Sequence, residues 1–225
     1  MSDLYRHHPR PSARVMESGP ATLSDFELLA AVTGSEKSAA ALLDRFHSVS
    51  RVLSATPSEI KSVQGVGVAV AARLASTREL WTRVAYEGVR GRILPAPEDV
   101  YALLGPSMQD LAQESMRVVF MDRRKRFIRV EEVFLGTSNE CFAAPAPILK
   151  RALALNAAAI VMAHNHPTGD PSPSVADHEV TRRVVRACHE VGIEFTDHII
   201  IGRRAEGGGQ PYFSFREAGL IGGYT

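Results

Sequence analysis

The apolar residues of this chain change period near residue 100, and that change limits the folds open to it. Before it, they recur at helical spacing behind serine and threonine start signals. Ser24 with Glu27 forms a capping box, hydroxyl and carboxylate each satisfying an orphan amide, so a helix "SDFELLAAVT" is predicted to run to Gly34. Ala40, Leu43 and Phe46 in "SAAALLDRFHS" predict a second helix. Thr56, Pro57 and Glu59 start a third. Glycines and prolines in "YEGVRGRILPAPEDV" mark a linker over residues 86–99. Beyond it, Met116, Val118 and Phe120 alternate in "ESMRVVFMD", "RRKR" makes a polar turn and "FIRVEEVF" returns, which is a β-hairpin signal. A helix "PILKRALALN", a buried strand "AAAIVMA", a helix "SVADHEVTRRVVRACHEVG" closed by Gly192 and a strand "IEFTDHIIIG" follow. The reading is a tail over 1–20, a small all-α domain over 21–85, and over 100–225 an α/β domain with helices packed on a sheet.

Composition removes several function classes. With 26 basic and 25 acidic side chains, bulk charge does not argue for nucleic acid, so any such contact would be local. No run approaches the roughly 18 apolar residues of a membrane span, and "MSDLYRHHPRPSARVMESGP" has no apolar core of a signal peptide. Cys141 and Cys188, the two cysteines, sit in apolar surroundings and suggest a reducing compartment with no cysteine-based zinc site. The chain reads as cytoplasmic.

The third predicted helix breaks at Gly65-Val66-Gly67, and an alanine-rich helix resumes at once. Such a turn presents free backbone amides where the helix dipole favours an anion, so a phosphate could sit there, with Lys61 and Arg73 as sparse charge support. Alternatively the glycines only allow a tight helix crossing. The pattern resembles the helix-hairpin-helix motif, which contacts DNA backbone without reading sequence.

The chemistry concentrates in "AIVMAHNHPTGDPSPSVADHEV", residues 159–180. Side chains at i and i+2 of an extended segment share a face, so His164 and His166 converge at the carboxyl end of the strand, where α/β folds place ligands. Ser174 caps the next helix and Asp177 lies in its first turn, able to face back. Two imidazoles, one carboxylate and an open position describe a catalytic zinc site, in which a coordinated water has its pKa pulled to about 7. Singly, each residue has an ordinary explanation as a turn or a cap. Together they predict a metal centre.

His164-x-His166, seven residues, Ser174, two residues, Asp177 matches the JAMM signature of MPN-type metalloproteases. The longer string "HNHPTGDPSPSVAD", followed by "DHIIIG" and "YFSFREAGL", resembles the RadC family, as do "LSDFELLAAV" and the Gly-Val-Gly hairpin. The resemblance implies an MPN/JAB-type, cytidine-deaminase-like mixed sheet with flanking helices, preceded by a helix-hairpin-helix domain. It implies one zinc ion per chain held by His164, His166 and Asp177, with a glutamate from an early strand as general base. The residues offer Glu114, Glu131, Glu132 and Glu140, and the family pattern falls on Glu114, which shares parity with Met116, Val118 and Phe120. Ser174 would donate to an oxyanion; as a cap it accepts, leaving its proton free.

His198 with Asp197 reads first as a strand-end pair, the alternative being a group that backs the metal ligands, and His178, His189, His7 and His8 read as solvated residues. The basic clusters Arg123 to Arg126 and Arg182, Arg183 and Arg186 read as a polar turn and a solvated helix face. The segment "GRRAEGGGQPYFSF" is longer and richer in glycine than the family's short turn; over the metal, its residues 205–210 would act as a flap. The function expected is a zinc-dependent peptidase or isopeptidase, acting on a protein or peptide substrate and brought to DNA or a partner by the helical domain. The alternative is a DNA-processing protein whose metal cuts phosphodiesters or is only structural.

Overall fold

The computed structural model describes residues 10–135, 144–203 and 208–223, so Cys141, Glu140, His7, His8 and residues 204–207 of the glycine-rich segment lie outside the described residues. The chain divides into two compact units, Met1–Trp81 and Thr82–Thr225.

The first unit is helical: α1 (Pro11–Ser18), α2 (Asp25–Thr33), α3 (Glu36–Phe46), α4 (Val49–Ser54), α5 (Pro57–Ser62) and the start of α6 (Val68–Val89). Its boundaries are set by side-chain caps. Ser24 and Thr56 form capping boxes with Glu27 and Glu59, and Ser35 and Ser48 cap α3 and α4. Gly34 ends α2 in the left-handed region, at φ 73°. Leu29, Ala39, Leu42, Val52, Ile60, Val66 and Leu74 close the core. The stripe of α3 is displaced from the expected one. Ala39 and Leu42 face inward and Ala40 is exposed, because in an alanine-rich helix the apolar pattern does not distinguish adjacent faces. Within the segment expected as a tail, Pro11–Ser18 form α1.

The segment expected as a linker carries the last turn of α6, a β-bridge between Ile93 and Arg126, and the first residues of α7 (Pro97–Met108). Pro97 occupies a first-turn position, where its missing N–H costs nothing, and Asp99 accepts from the Ala96 amide. The prolines that read as a linker are a helix start.

The second unit is a mixed sheet of five strands in the order β2-β1-β3-β4-β5. They are β1 (Ser115–Met121), β2 (Phe127–Leu135), β3 (Ala159–Asn165), β4 (Glu194–Ile201) and β5 (Tyr212–Ser214). The pairs β1–β2, β1–β3 and β4–β5 are antiparallel; β3 and β4 are parallel, joined by the crossover helix α9 (Val175–Glu190). One face of the sheet packs Met116, Val118, Phe120, Ile160 and Met162 against α8 (Pro145–Ala154) and α9. The other packs Val119, Met121, Val161 and Ala163 against Leu104 and Met108 of α7. β3 is buried along its whole length, which is why its sequence is continuously apolar until the polar residues at its end. Among the described residues no helix is long and apolar enough to cross a membrane. Cys188 is a free thiol within the α9 face of this core, its pKa pushed up to about 12 by burial.

Candidate metal centre

β3 delivers His164 in its last turn of pleat and His166 one residue past its end, on the same face. Their Nε2 atoms are 3.0 Å apart. α9 brings Asp177 to them from its first turn: Oδ1 lies 3.1 Å from His164 Nε2, and Oδ2 lies 3.4 Å from His166 Nε2. The three residues are a group that could hold a metal ion, their ligand atoms all within 4.8 Å of one another. His164 and Asp177 are buried and His166 is half-buried, so the cluster opens to solvent on the side of the loop after β3. That loop is held by a close approach. Gly202, at the end of β4, lies against it, and a Cβ there would fall 2.8 Å from Pro171 Cδ.

Hydrogen bonds around the cluster decide where its protons sit. Thr181 Oγ1 donates to the Asp177 carbonyl, which can only accept, so it must accept from His198 Nδ1, 2.6 Å away. His198, fully buried on β4 and stacked on Phe215, then presents an unprotonated Nε2, and His164 Nδ1 donates to it at 2.8 Å. His166 Nδ1 donates to the Asp170 carbonyl at 2.8 Å. Both ligand imidazoles therefore turn a lone pair on Nε2 toward a carboxylate. Three acceptors facing one another are relieved by a cation between them, either a proton held by His166 or a metal ion, and the nitrogen and oxygen donor set with an open side fits a divalent transition metal.

The comparisons with known proteins agree with this geometry. The family profile described as the RadC-like JAB domain matches residues 94–220. The chain belongs to the RadC family. Relatives of this RadC chain include a UPF0758 protein of Geobacillus sp. (strain WCH70), 33% identical over 220 residues that cover 94% of this chain and 95% of the relative. A UPF0758 protein of Methanosarcina acetivorans is 37% identical over 219 residues, 94% of this chain and 93% of its own length. One of Bacillus pumilus is 32% identical over 225 residues, 96% and 98% of the two chains.

Thr181 is the part of the candidate site that the sequence reading missed, and His198 takes the less favoured of its two readings, a group that backs His164. His198 is not a strand-end pair with Asp197, whose carboxylate instead accepts from the amides of His198 and Arg216 and from the Ser214 hydroxyl. Two signals could have found the Thr181–His198 contact. Thr181 lies four residues after Asp177 and so on the same face of α9, and His198 stands opposite Met162 in the parallel register, on the His164 face. Partners that orient a ligand imidazole typically contribute 10–100-fold to metal affinity. Thr181→Val and His198→Phe are each expected to weaken zinc binding by about that factor, measured by chelator competition, with the circular dichroism spectrum unchanged. Unchanged affinity in both would show that the relay does not orient His164.

Burial works to raise the Asp177 pKa, but the neighbouring His164, His166 and Ser174 outweigh it and hold the carboxyl far below its usual range. The bond to Asp177 raises His166 above 6.5, against burial, with smaller help from the Asp170 carbonyl and the charge of Glu114. Burial first, then the neighbouring charge of His164, pushes His198 well below 6.5. In metal-free protein these shifts act in opposite directions. His166 binds its proton more tightly folded than unfolded, so its contribution is full below pH 6.5 and lost as pH rises through the raised pKa. His198 binds its proton less tightly folded, so stability is lost as pH falls through 6.5 and the unfolded chain takes up that proton. Metal-free Tm is expected to peak near the unperturbed histidine pKa and to fall on the alkaline side. Saturating zinc should remove the alkaline fall, because the metal then takes the place of the His166 proton. A metal-free Tm that rises steadily from pH 6.5 to 8 would contradict this assignment.

The remaining expected site residues are distributed as follows. Glu114 immediately precedes β1 and is half-buried, near enough for its charge to act on His166. Glu131 is bound by Arg151 and Arg129, and Glu132 by the Ser115 hydroxyl and Arg117, so both serve structural pairs. Ser174 caps α9 as expected, accepting from the Asp177 amide at 3.2 Å, but its proton is not free: Oγ donates to Asp177 Oδ2 at 2.6 Å. A cap residue whose partner at the third helical position is acidic gives its proton to that carboxylate, as Ser24 and Thr56 also do. His178 is half-buried with its ring edge against Phe215, not solvated, whereas His189 is exposed. The turn 123–126 is organised by Asp122 and by a Lys125–Glu194 ion pair. On α9, Arg182, Arg183 and Arg186 are exposed, with Arg183 paired to Glu179. At the described edge of the glycine-rich segment, the Arg203 amide donates to Gly169 and its guanidinium to Pro167, both in the loop after His166.

In the helical unit, Gly65 has φ 81°, which the turn between α5 and α6 requires. A Cβ on Gly65 or Gly67 would meet nothing within 4 Å, so close helix packing does not explain either glycine. A cavity of about 760 Å³ beside the turn is lined by Gly65, Ser62, Asp44 and three basic side chains, Lys37, Arg45 and His47. Lys61 is exposed and is not part of that lining, and Arg73 is committed to the Thr33 carbonyl at 2.8 Å.

Proposed function

We propose that this RadC-family chain is a zinc-dependent amide hydrolase, a peptidase or isopeptidase, with His164, His166 and Asp177 holding one zinc ion per chain. The observation that carries the reading is the set of three converging acceptors with a half-buried carboxylate, Glu114, beside it. Zinc, when bound, supplies Lewis acidity toward a carbonyl oxygen and lowers the pKa of water. Glu114 is the proton carrier: its carboxylate takes a proton from the attacking water and returns it to the nitrogen as the carbon–nitrogen bond breaks. Ser174 stands at the exposed rim. It can stabilise an oxyanion by turning its proton from Asp177 Oδ2 to the substrate, and its acceptor role in the cap survives that turn. One metal with a glutamate base suits acyl transfer better than the two-metal geometry common in phosphodiester cleavage.

The test is a substrate panel. Zinc-loaded wild type and Glu114→Gln would be assayed against peptides, isopeptide-linked proteins, and branched and single-stranded DNA. Amide cleavage lost in the variant supports the proposal; cleavage of DNA alone would replace it with the DNA-processing reading.

For the helical unit the proposed partner is DNA, contacted through its phosphates at the α5–α6 turn. Glycines with open space above them and the basic lining of the adjacent cavity favour this. Such binding should weaken steeply with salt, by roughly one power of concentration per phosphate neutralised. Gly67→Val and a Lys37→Ala/Arg45→Ala pair should each reduce affinity in a fluorescence-anisotropy titration. Binding that ignores salt and survives both changes would exclude this contact.

A further inference from the structure

Asn165 stands between the two ligand histidines, on the last residue of β3, and is completely buried. Its side chain turns away from the histidines to the opposite face. There Oδ1 accepts from the Ser115 amide at 2.9 Å, and Nδ2 donates to the carbonyls of Gln113 at 3.2 Å and Leu111 at 3.4 Å. An amide can only donate and a carbonyl can only accept, so the orientation of the carboxamide is not in question. The three bonds grip the chain on both sides of Glu114.

The register explains why a side chain does this. β1 and β3 pair backbone to backbone up to Met116 and His164. One step further, where Ser115 would face Asn165, the carboxamide takes the Ser115 amide that the ladder leaves unpaired. It also reaches back to two carbonyls of the segment joining α7 to β1. Ser115 is fixed from its other side by its hydroxyl bond to Glu132 at 2.8 Å. With residues 113 and 115 held, alternation sends the Glu114 side chain to the face of Met116 and His164.

We infer that Asn165 is a positioning residue for Glu114: it ties the proton carrier to the strand that bears the metal ligands, so that carboxylate and ligands move as one unit. This rests on the hydrolase reading for its catalytic consequence, but the clamp itself is testable without any substrate. It also gives a chemical reason for asparagine between the histidines, since that position needs one acceptor and two donors on a short side chain.

The experiment compares wild type, Asn165→Ala, Glu114→Gln and the double variant, all as the full chain. In Asn165→Ala, exchange of the Ser115 amide is expected to accelerate by at least about tenfold while residues 117–121 stay protected. Zinc affinity should remain within about threefold of wild type, because none of the three ligands uses the carboxamide. With an amide substrate, kcat should fall toward the Glu114→Gln level with KM little changed, and the double variant should fall no further than the worse single one. A fully additive double variant, or unchanged exchange at Ser115, overturns the clamp. Wild type that cleaves no amide removes the hydrolase reading alone, and the exchange and affinity measurements then decide the clamp. If Asn165→Ala does not fold, Asn165→Thr takes its place, and wild type adds its own check: a Ser115 amide exchanging as fast as an unprotected loop amide rejects the inference.

Discussion

Glu114→Gln should leave zinc binding intact and lower amide hydrolysis by about a hundred- to ten-thousandfold, the range over which a positioned general base acts. The two halves of that expectation come from different parts of the molecule. Metal retention follows because Glu114 is not one of the three residues whose ligand atoms converge. Loss of rate follows because the amide of glutamine is nearly the shape of the carboxylate yet cannot take a proton. Among the described candidates Glu131 and Glu132 cannot substitute, being bound to Arg151 and to Ser115 and Arg117. The loss should lie in kcat, with KM changing by no more than a few-fold. A variant that retains wild-type kcat would remove Glu114 from the reaction.

Asp177→Asn should have the largest effect on metal. The carboxylate supplies the only negative charge of the ligand set and sits in a buried position held far below its usual pKa. Asparagine keeps a side-chain oxygen to accept from the Ser174 amide, so α9 should keep its cap. The chain should fold, and zinc affinity should drop by more than the 10–100-fold expected of groups outside the ligand set. The variant also separates two effects of the cluster. Without the carboxylate His166 loses the bond that raises its pKa, so the alkaline fall of metal-free Tm should disappear as well. Calorimetric titration and thermal melts on the same preparation check both.

The convergence of His164, His166 and Asp177 was legible because its rules are local. Two histidines at i and i+2 of a strand, and a cap followed three residues later by an acid, are fixed by strand alternation and helix capping, and the fold only had to bring α9 over β3. The β1–β2 hairpin and the capped helices of the first unit were legible for the same reason. What stayed hidden depends on register between distant segments. Asn165 grips residues about fifty positions earlier, and Thr181 on α9 reaches a histidine on β4. Neither contact has a spacing to read. Other errors came from ambiguous signals. Prolines 95 and 97 suit both a linker and a helix start, and alanine at residue 40 suits both faces of α3. Near the hairpin, sequence proximity pointed to Lys61, whereas the fold brings Lys37, Arg45 and His47 to the cavity wall.

The central claim is that three lone-pair-bearing atoms meet around a place for one cation. Titrating metal-stripped protein with zinc in two buffers of different ionisation enthalpy tests it most directly. The account predicts one zinc per chain and a proton released near pH 7, where His166 holds part of the charge that the metal displaces. It also predicts that His164→Ala and His166→Ala abolish the strong site. Wild type that binds no zinc below millimolar concentration, or binds it equally well without either histidine, would contradict it.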